Sequence, residues 1–189
     1  AAFKRNYGSI FPTAFVAYQL DSNNSITLRA GKRIDRPAFQ HLNPFQTILN
    51  KYTYEAGNPF IKPQYTLNFS LAHTYKQKLT TEVSYSYLRD YFSQIFIIDS
   101  SSSNVNNNII IYTRGNVGSF KDFAITETYQ TPVTKWWNLT AVAVYNYKVI
   151  KGIVWAPFTA RINQLNISLN KHVQLKKGWS FELNGYYQK

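Results

Sequence analysis

No cysteine occurs among the 189 residues of this chain. A disulfide scaffold, a thiol nucleophile and a cysteine-type zinc site are therefore excluded. Long apolar runs are missing too. The longest are short stretches such as Ala141 to Tyr145, far below the ~20 residues of a spanning helix. No apolar signal core opens the chain, which begins Ala1-Ala2-Phe3-Lys4-Arg5. It is therefore expected to be a mature or excised piece. Carboxylates are few: 9 Asp and Glu stand against 21 Lys and Arg, a formal net charge of +12. The cations are scattered, with Lys32-Arg33, Lys76-Gln77-Lys78 and Lys176-Lys177 as the tightest groups. Such scatter suits solvated turns and lipid headgroups, and no nucleic-acid partner is expected.

Sequence signatures of catalysis are equally sparse. The three histidines, His41, His73 and His172, lie far apart and in different contexts. None has metal-ligand spacing with a partner, so no metal site is expected. There is no glycine-rich phosphate loop and no serine elbow. Paired carboxylates could do acid–base work. Here Glu82, Asp90 and Glu182 fit more simply as polar lining of a strand face, together with Arg29 and Arg33. The expectation is a protein that is not an enzyme, with no catalytic residue and no cofactor.

What the chain does have is alternation. Every second residue is apolar in Trp137, Leu139, Ala141, Ala143, Tyr145, Tyr147. Leu165, Ile167 and Leu169 alternate with Asn166, Ser168 and Asn170, and Trp179, Phe181 and Leu183 with Ser180, Glu182 and Asn184. A period of two means strands with unlike faces. The apolar face is unusually aromatic, since aromatics make up 17% of the chain. A membrane barrel needs only alternate apolar residues over ~9–11 positions to cross a bilayer. Its polar face then lines the lumen.

Eight strands are predicted, at about 12–20, 25–33, 66–75, 80–97, 109–130, 137–149, 158–170 and 179–188. Gly115 and Gly118 fall inside the fifth and mark either a bulge or a turn; one long strand fits the pattern better. Alternate connections are expected to be short, at 21–24, 76–78, 131–135 and 171–178. The others, 34–65, 99–108 and 150–157, are expected to be longer. That asymmetry matches barrels with short periplasmic turns and long outer loops. Aromatics flank the short turns: Tyr18, Tyr75, Tyr129, Trp137 and Trp179 are expected at the membrane interface, where a ring is half dry and its polar tip wet.

The most specific local pattern lies between the second and third predicted strands. Phe11-Pro12-Thr13 stands upstream. Then come Arg33-Ile34-Asp35-Arg36-Pro37, Leu42-Asn43-Pro44-Phe45, Gly57-Asn58-Pro59 and Lys62-Pro63. This order resembles the C-terminal barrel region of TonB-dependent-receptor-like proteins, in particular the outer membrane protein beta-barrel family common in Bacteroidetes. Ile61 and Gln64 depart mildly from the family's frequent Leu and Glu. The resemblance implies an all-β, antiparallel, up-and-down transmembrane barrel segment. Its eight strands would be about a third of a 22-stranded barrel in the Gram-negative outer membrane. It implies outer-membrane lipid and lipopolysaccharide as surroundings, and a small nutrient ligand. It also implies a TonB complex that would act through a plug region absent from residues 1–189.

Within that reading, 34–65 is expected to form a long, ordered extracellular loop. Four prolines and the Gly57-Asn58-Pro59 turn restrict its unfolded states. Phe39, Phe45, Tyr52, Tyr54 and Phe60 are expected to pack it onto the barrel rim. Arg36, His41, Tyr52 and Tyr54 are the candidates for ligand contact. Two alternatives stay open at this point. One is a complete eight-stranded barrel acting as anchor or adhesin; the other is a soluble β-sandwich binding glycan or nucleic acid.

Overall fold

The computed structural model describes Gly8, residues 10–99 and residues 109–189. Its strands are β1 (Thr13–Gln19), β2 (Asn24–Asp35), β3 (Gln46–Asn50), β4 (Thr53–Ala56), β5 (Gln64–Tyr75), β6 (Leu79–Asp99), β7 (Ile109–Thr134), β8 (Trp137–Ile153), β9 (Pro157–Gln174) and β10 (Ser180–Gln188). One short helix, α1 (Phe39–Leu42), precedes β3. Eight strands form a single meander in the order β1-β2-β5-β6-β7-β8-β9-β10. Each pairs antiparallel with the next. No pairing joins β1 to β10 among the described residues. The sheet is therefore an open arc, neither an eight-stranded closed barrel nor a sandwich of two sheets.

Register shows why the alternation matters. Val16, Leu28, Leu71, Val83, Ile125, Tyr145 and Leu165 fall side by side across seven strands. The neighbouring row reads Phe15, Arg29, Ser70, Ser84, Ala124, Asn146 and Gln164. Successive residues of a strand point to opposite faces, so one face is apolar and the other mainly polar. The apolar face is bare: Leu28 is 49% exposed, Leu71 50% and Leu169 43%. A soluble monomer rarely shows so continuous an apolar surface; in a bilayer it meets acyl chains. The buried hydrophobics are few, Ile61, Ala72, Val117 and Ala124, as expected of a one-layer wall.

The strands are longer than the sequence pattern predicts. β8 and β9 extend until only Val154, Trp155 and Ala156 separate them. The long connection expected at 150–157 is thus a three-residue turn, because continuous pairing reaches Ile153↔Pro157. β7 runs on through Pro132 to Thr134, which leaves a two-residue turn where 131–135 was expected. Of the connection expected at 99–108, residues 100–108 lie outside the described residues.

Local chemistry fixes the turns. In the first, the Asp21 carboxylate accepts the Asn23 N–H at 2.7 Å and the Asn24 N–H at 2.9 Å. The Asn24 side chain adds bonds at 3.0 and 2.8 Å. These donors favour the charged form, the Asn23 N–H foremost, and hold the Asp21 carboxyl below its ordinary value. In the turn between β5 and β6, Lys76 and Gln77 both have positive φ, 49° and 56°. That is the left-handed twist a tight hairpin requires.

β7 is one strand of 26 residues, and its glycines mark a bulge. Asp90, with φ 57°, has no partner in the β6–β7 register, and pairing resumes with Tyr91↔Gly118 and Phe92↔Asn116. Gly118 has φ 143° and pairs with Gly152 of β8. A Cβ on Gly118 would collide with the Lys151 carbonyl, and one on Gly152 with the Val117 carbonyl. Only glycines allow the two backbones to meet there.

Candidate functional site

The connection between β2 and β5 carries the site. After Asp35 the chain turns through α1, forms the β3–β4 hairpin, and lays β4 parallel to the start of β7, Thr53↔Ile110 to Glu55↔Tyr112. This edge of β7 is open because β8 reaches only to Gly118. The segment thus uses backbone groups that would otherwise lack partners. Beyond β4, Asn58 Nδ2 donates to the Arg114 carbonyl at 2.9 Å. Asn116 then fastens three points. Its Oδ1 accepts the Lys62 N–H at 2.7 Å, and its Nδ2 donates to the Lys62 carbonyl at 3.0 Å and the Asp90 carbonyl at 2.7 Å. Ile61, 1% exposed, is the buried anchor beside these bonds.

Three of the five expected aromatics stand largely exposed instead of packing the loop onto the rim. Phe39, Phe45 and Phe60 are 78%, 80% and 72% exposed. The backbone turns at the asparagines set the path instead. Asn43 Oδ1 accepts the Phe45 N–H, Asn50 Oδ1 the Tyr52 N–H and Asn58 Oδ1 the Phe60 N–H. These side-chain-to-backbone bonds direct the neighbouring rings outward.

Between this folded segment and β6–β7 lies an open cavity of about 530 Å³. Phe39, His41, Phe45 and Glu55 line it from the segment, and Gln94, Tyr112 and Arg114 from the strands. His41 Nδ1 is buried there without a hydrogen-bond partner among the described residues. The cavity therefore brings a cation, a carboxylate, an imidazole and exposed rings to one mouth. That set suits a ligand with charged and aromatic parts. Of the four sequence candidates, only His41 lines this cavity. Arg36 follows β2 as an exposed residue. Tyr52 sits in the β3–β4 turn, where its carbonyl accepts the Ile110 N–H at 2.8 Å. Tyr54 pairs with Ile48 and Ile111 inside the small sheet. Arg114, Tyr112 and Glu55 escape sequence reasoning, since only the parallel β4–β7 pairing brings them together.

The other expected positions are distributed along the wall. Arg29 Nη1 and Glu82 Oε2 form an ion pair at 3.3 Å across the polar face. Arg33 lies in the same face opposite Thr66. Glu182 pairs with His172, Oε1 to Nδ1 at 3.5 Å. Asp90 is shifted out of simple alternation by the bulge, and its Oδ2 meets Arg89 Nε at 3.2 Å. Tyr18, Tyr75, Tyr129 and Trp137 all fall on the apolar face toward the short turns. Trp137 Nε1 is buried without a partner among the described residues, and its ring lies under the Lys171 ammonium at 6.0 Å. Trp179, 66% exposed, immediately precedes β10. Among the described residues no cluster of three or more histidines and carboxylates is placed to hold a metal.

A single sheet with one bare apolar face and one polar face has the build of a wall segment of an outer-membrane β-barrel. The chain belongs to the outer membrane protein beta-barrel family, whose profile matches residues 1–189, and its place is the Gram-negative outer membrane. No curated protein matches it in sequence. Solved structures of similar fold include two receptors. The siderophore receptor PirA of Pseudomonas aeruginosa shares 11% identity at a TM-score of 0.68, over 94% of this chain and 34% of the receptor. The ferric enterobactin receptor PfeA of the same organism, solved with enterobactin, shares 12% identity at a TM-score of 0.55, over 92% of this chain and 34% of the receptor. The chain thus spans about a third of the length of these receptors.

Proposed function

We propose that this segment is part of a gated outer-membrane nutrient receptor, contributing barrel wall and part of an outer ligand-binding rim. The observation that carries the proposal is the cavity between residues 39–57 and the β6–β7 strands, built on a wall that resembles receptor barrels. In this reading the tight turns face the periplasm, and the segment at 34–65 is an ordered extracellular loop at the barrel mouth. The polar face lines the lumen, where the Arg29–Glu82 pair sits. Entry of the ligand would be driven by TonB acting on a plug carried by other parts of the protein. Catalysis has no place in this scheme, because the cavity binds and releases a ligand unchanged. The chemistry of Arg114, Glu55, His41 and the exposed rings favours a small charged nutrient with ring groups over a neutral sugar.

The test uses the full-length protein that carries this segment. Growth under limitation on ferric chelates, cobalamin, oligosaccharides or peptides identifies the nutrient whose uptake depends on it. The double variant His41→Ala/Arg114→Ala should then lower uptake and affinity about tenfold or more, at the ~1.5–3 kcal/mol typical of lost charged hydrogen bonds. Heat-modifiable migration of the barrel should stay parental. Parental uptake in this variant, with a folded barrel, would remove the binding role from the cavity.

A further inference from the structure

The bare face of the sheet carries an unexpected charge pattern toward the end opposite the turns at 20–23, 76–78 and 135–136. Lys32, Leu67, Tyr87, Lys121, Val149 and Arg161 form one outward row. It lies four residues beyond the Leu28–Ile125–Leu165 row, roughly 13 Å along the strand at ~3.3 Å per residue. In the next outward row stand Arg89, Ser119 and Lys151. Arg89, Lys121, Lys151 and Arg161 therefore zigzag across β6, β7, β8 and β9, each diagonal to the next. Diagonal neighbours lie ~7–8 Å apart at Cα, and like charges placed so closely repel.

Elsewhere on the sheet two cations meet polar complements, Arg29 with Glu82 and Lys148 Nζ with Gln164 at 2.7 Å. In these two rows no residue is acidic. Among the described residues, the carboxylate paired with one of these four cations is Asp90, on Arg89. All four zigzag cations are exposed. Tyrosines meet two of them and the neighbouring Lys32: Arg89 lies over Tyr65 at 5.7 Å, Lys121 over Tyr87 at 5.7 Å and Lys32 over Tyr65 at 5.5 Å. Below them, toward the apolar middle, Phe69, Tyr85, Phe123 and Tyr147 form an aromatic row. Apolar wall, aromatic row and cation belt follow in the order of acyl chain, interface and headgroup.

We propose that the belt of Arg89, Lys121, Lys151 and Arg161 binds the phosphate groups of lipopolysaccharide in the outer leaflet. The inference rests on the orientation given above, with the long segment outside. Its specific content is the residue set and the charge it selects. A zwitterionic phospholipid brings no net charge to relieve four cations. The phosphate monoesters of lipid A do, and several lie on one headgroup, so one lipid can bridge adjacent strands. Rows perpendicular to tilted strands run obliquely to the membrane, so the belt is a band that follows the wall and its lipid neighbours.

The experiment measures retention of bisphosphorylated lipid A by the full-length protein in mild detergent, using native mass spectrometry. The variant Lys121→Gln/Lys151→Gln/Arg161→Gln should bind it about a hundredfold more weakly, at about fivefold for each interfacial cation. Lys121→Arg/Lys151→Arg, which keeps the charge, should bind as the parent does and shows that the fold tolerates change there. Lipid A stripped of its phosphates should bind parent and triple variant equally weakly, and neither inorganic phosphate nor phosphatidylglycerol should displace the phosphorylated form. Parental affinity in the triple variant, or binding of the stripped lipid or of phosphatidylglycerol to the parent as tight as that of the phosphorylated form, would overturn the belt. Labelling of Asn23→Cys on intact cells would overturn the orientation on which the proposal depends, whatever the affinity.

Discussion

At the scale of single residues, two glycines decide whether the longest strands can pair. Gly118 holds φ 143° and faces Gly152, and each would drive a Cβ into the partner backbone. Neither clash can be relieved by a side-chain rotation, because the atoms met are main-chain carbonyls. Gly118→Ala combines a disfavoured φ with this collision, and should destabilise the folded barrel by about 1–3 kcal/mol. Gly185→Ala is the control, since nothing lies within 4 Å of its Cβ position. Urea unfolding in detergent micelles, followed by heat-modifiable migration, compares the two. Equal midpoints would show that the β7–β8 contact yields more easily than the backbone geometry implies.

At the scale of elements, the segment between β2 and β5 is held by β7 rather than by its own hairpin. Asn116 alone contributes three bonds, two to Lys62 and one to the bulge at Asp90. Asn116→Ala removes three bonds to exposed and part-buried backbone groups, at about 0.5–1.5 kcal/mol for each net bond lost. Amide exchange across residues 53–63 should accelerate in this variant while β8 and β9 keep parental protection. Unchanged exchange would mean that β4–β7 pairing suffices without Asn116. The eight meander strands are legible in the sequence because period-two alternation runs through most of their length, broken at the β6–β7 bulge, and Asn- and Gly-bearing turns bound several of them. The β3–β4 hairpin is not legible, because Gln46–Asn50 and Thr53–Ala56 are too short to show a period. Their partner Ile110–Tyr112 lies far along the chain, and parallel pairing leaves no local signature. For the same reason His41 is recoverable from the motif, whereas Arg114 and Tyr112 are not. The extra length of β8 and β9 is hidden as well: Ile150–Pro157 reads as a loop until pairing across Gly152↔Phe158 extends the ladder.

At the scale of the whole molecule, the sheet has almost no interior, and its two faces must be covered by different surroundings. One face presents Leu28, Leu71, Ile125 and Leu169 bare; the other presents Arg29, Glu82, Asn146 and Gln164. This division, more than any single site, is what makes the chain a membrane wall. Spin labels placed one at a time from 165 to 169 in the full-length protein, reconstituted in bilayers, test it most directly. Leu165, Ile167 and Leu169 share one face of β9, and Asn166 and Ser168 share the other. Oxygen, which concentrates in hydrocarbon, should be most accessible at 165, 167 and 169, and a polar relaxation agent at 166 and 168. A profile without period two, or one with oxygen accessibility highest at 166 and 168, would contradict the assignment of the apolar face to lipid.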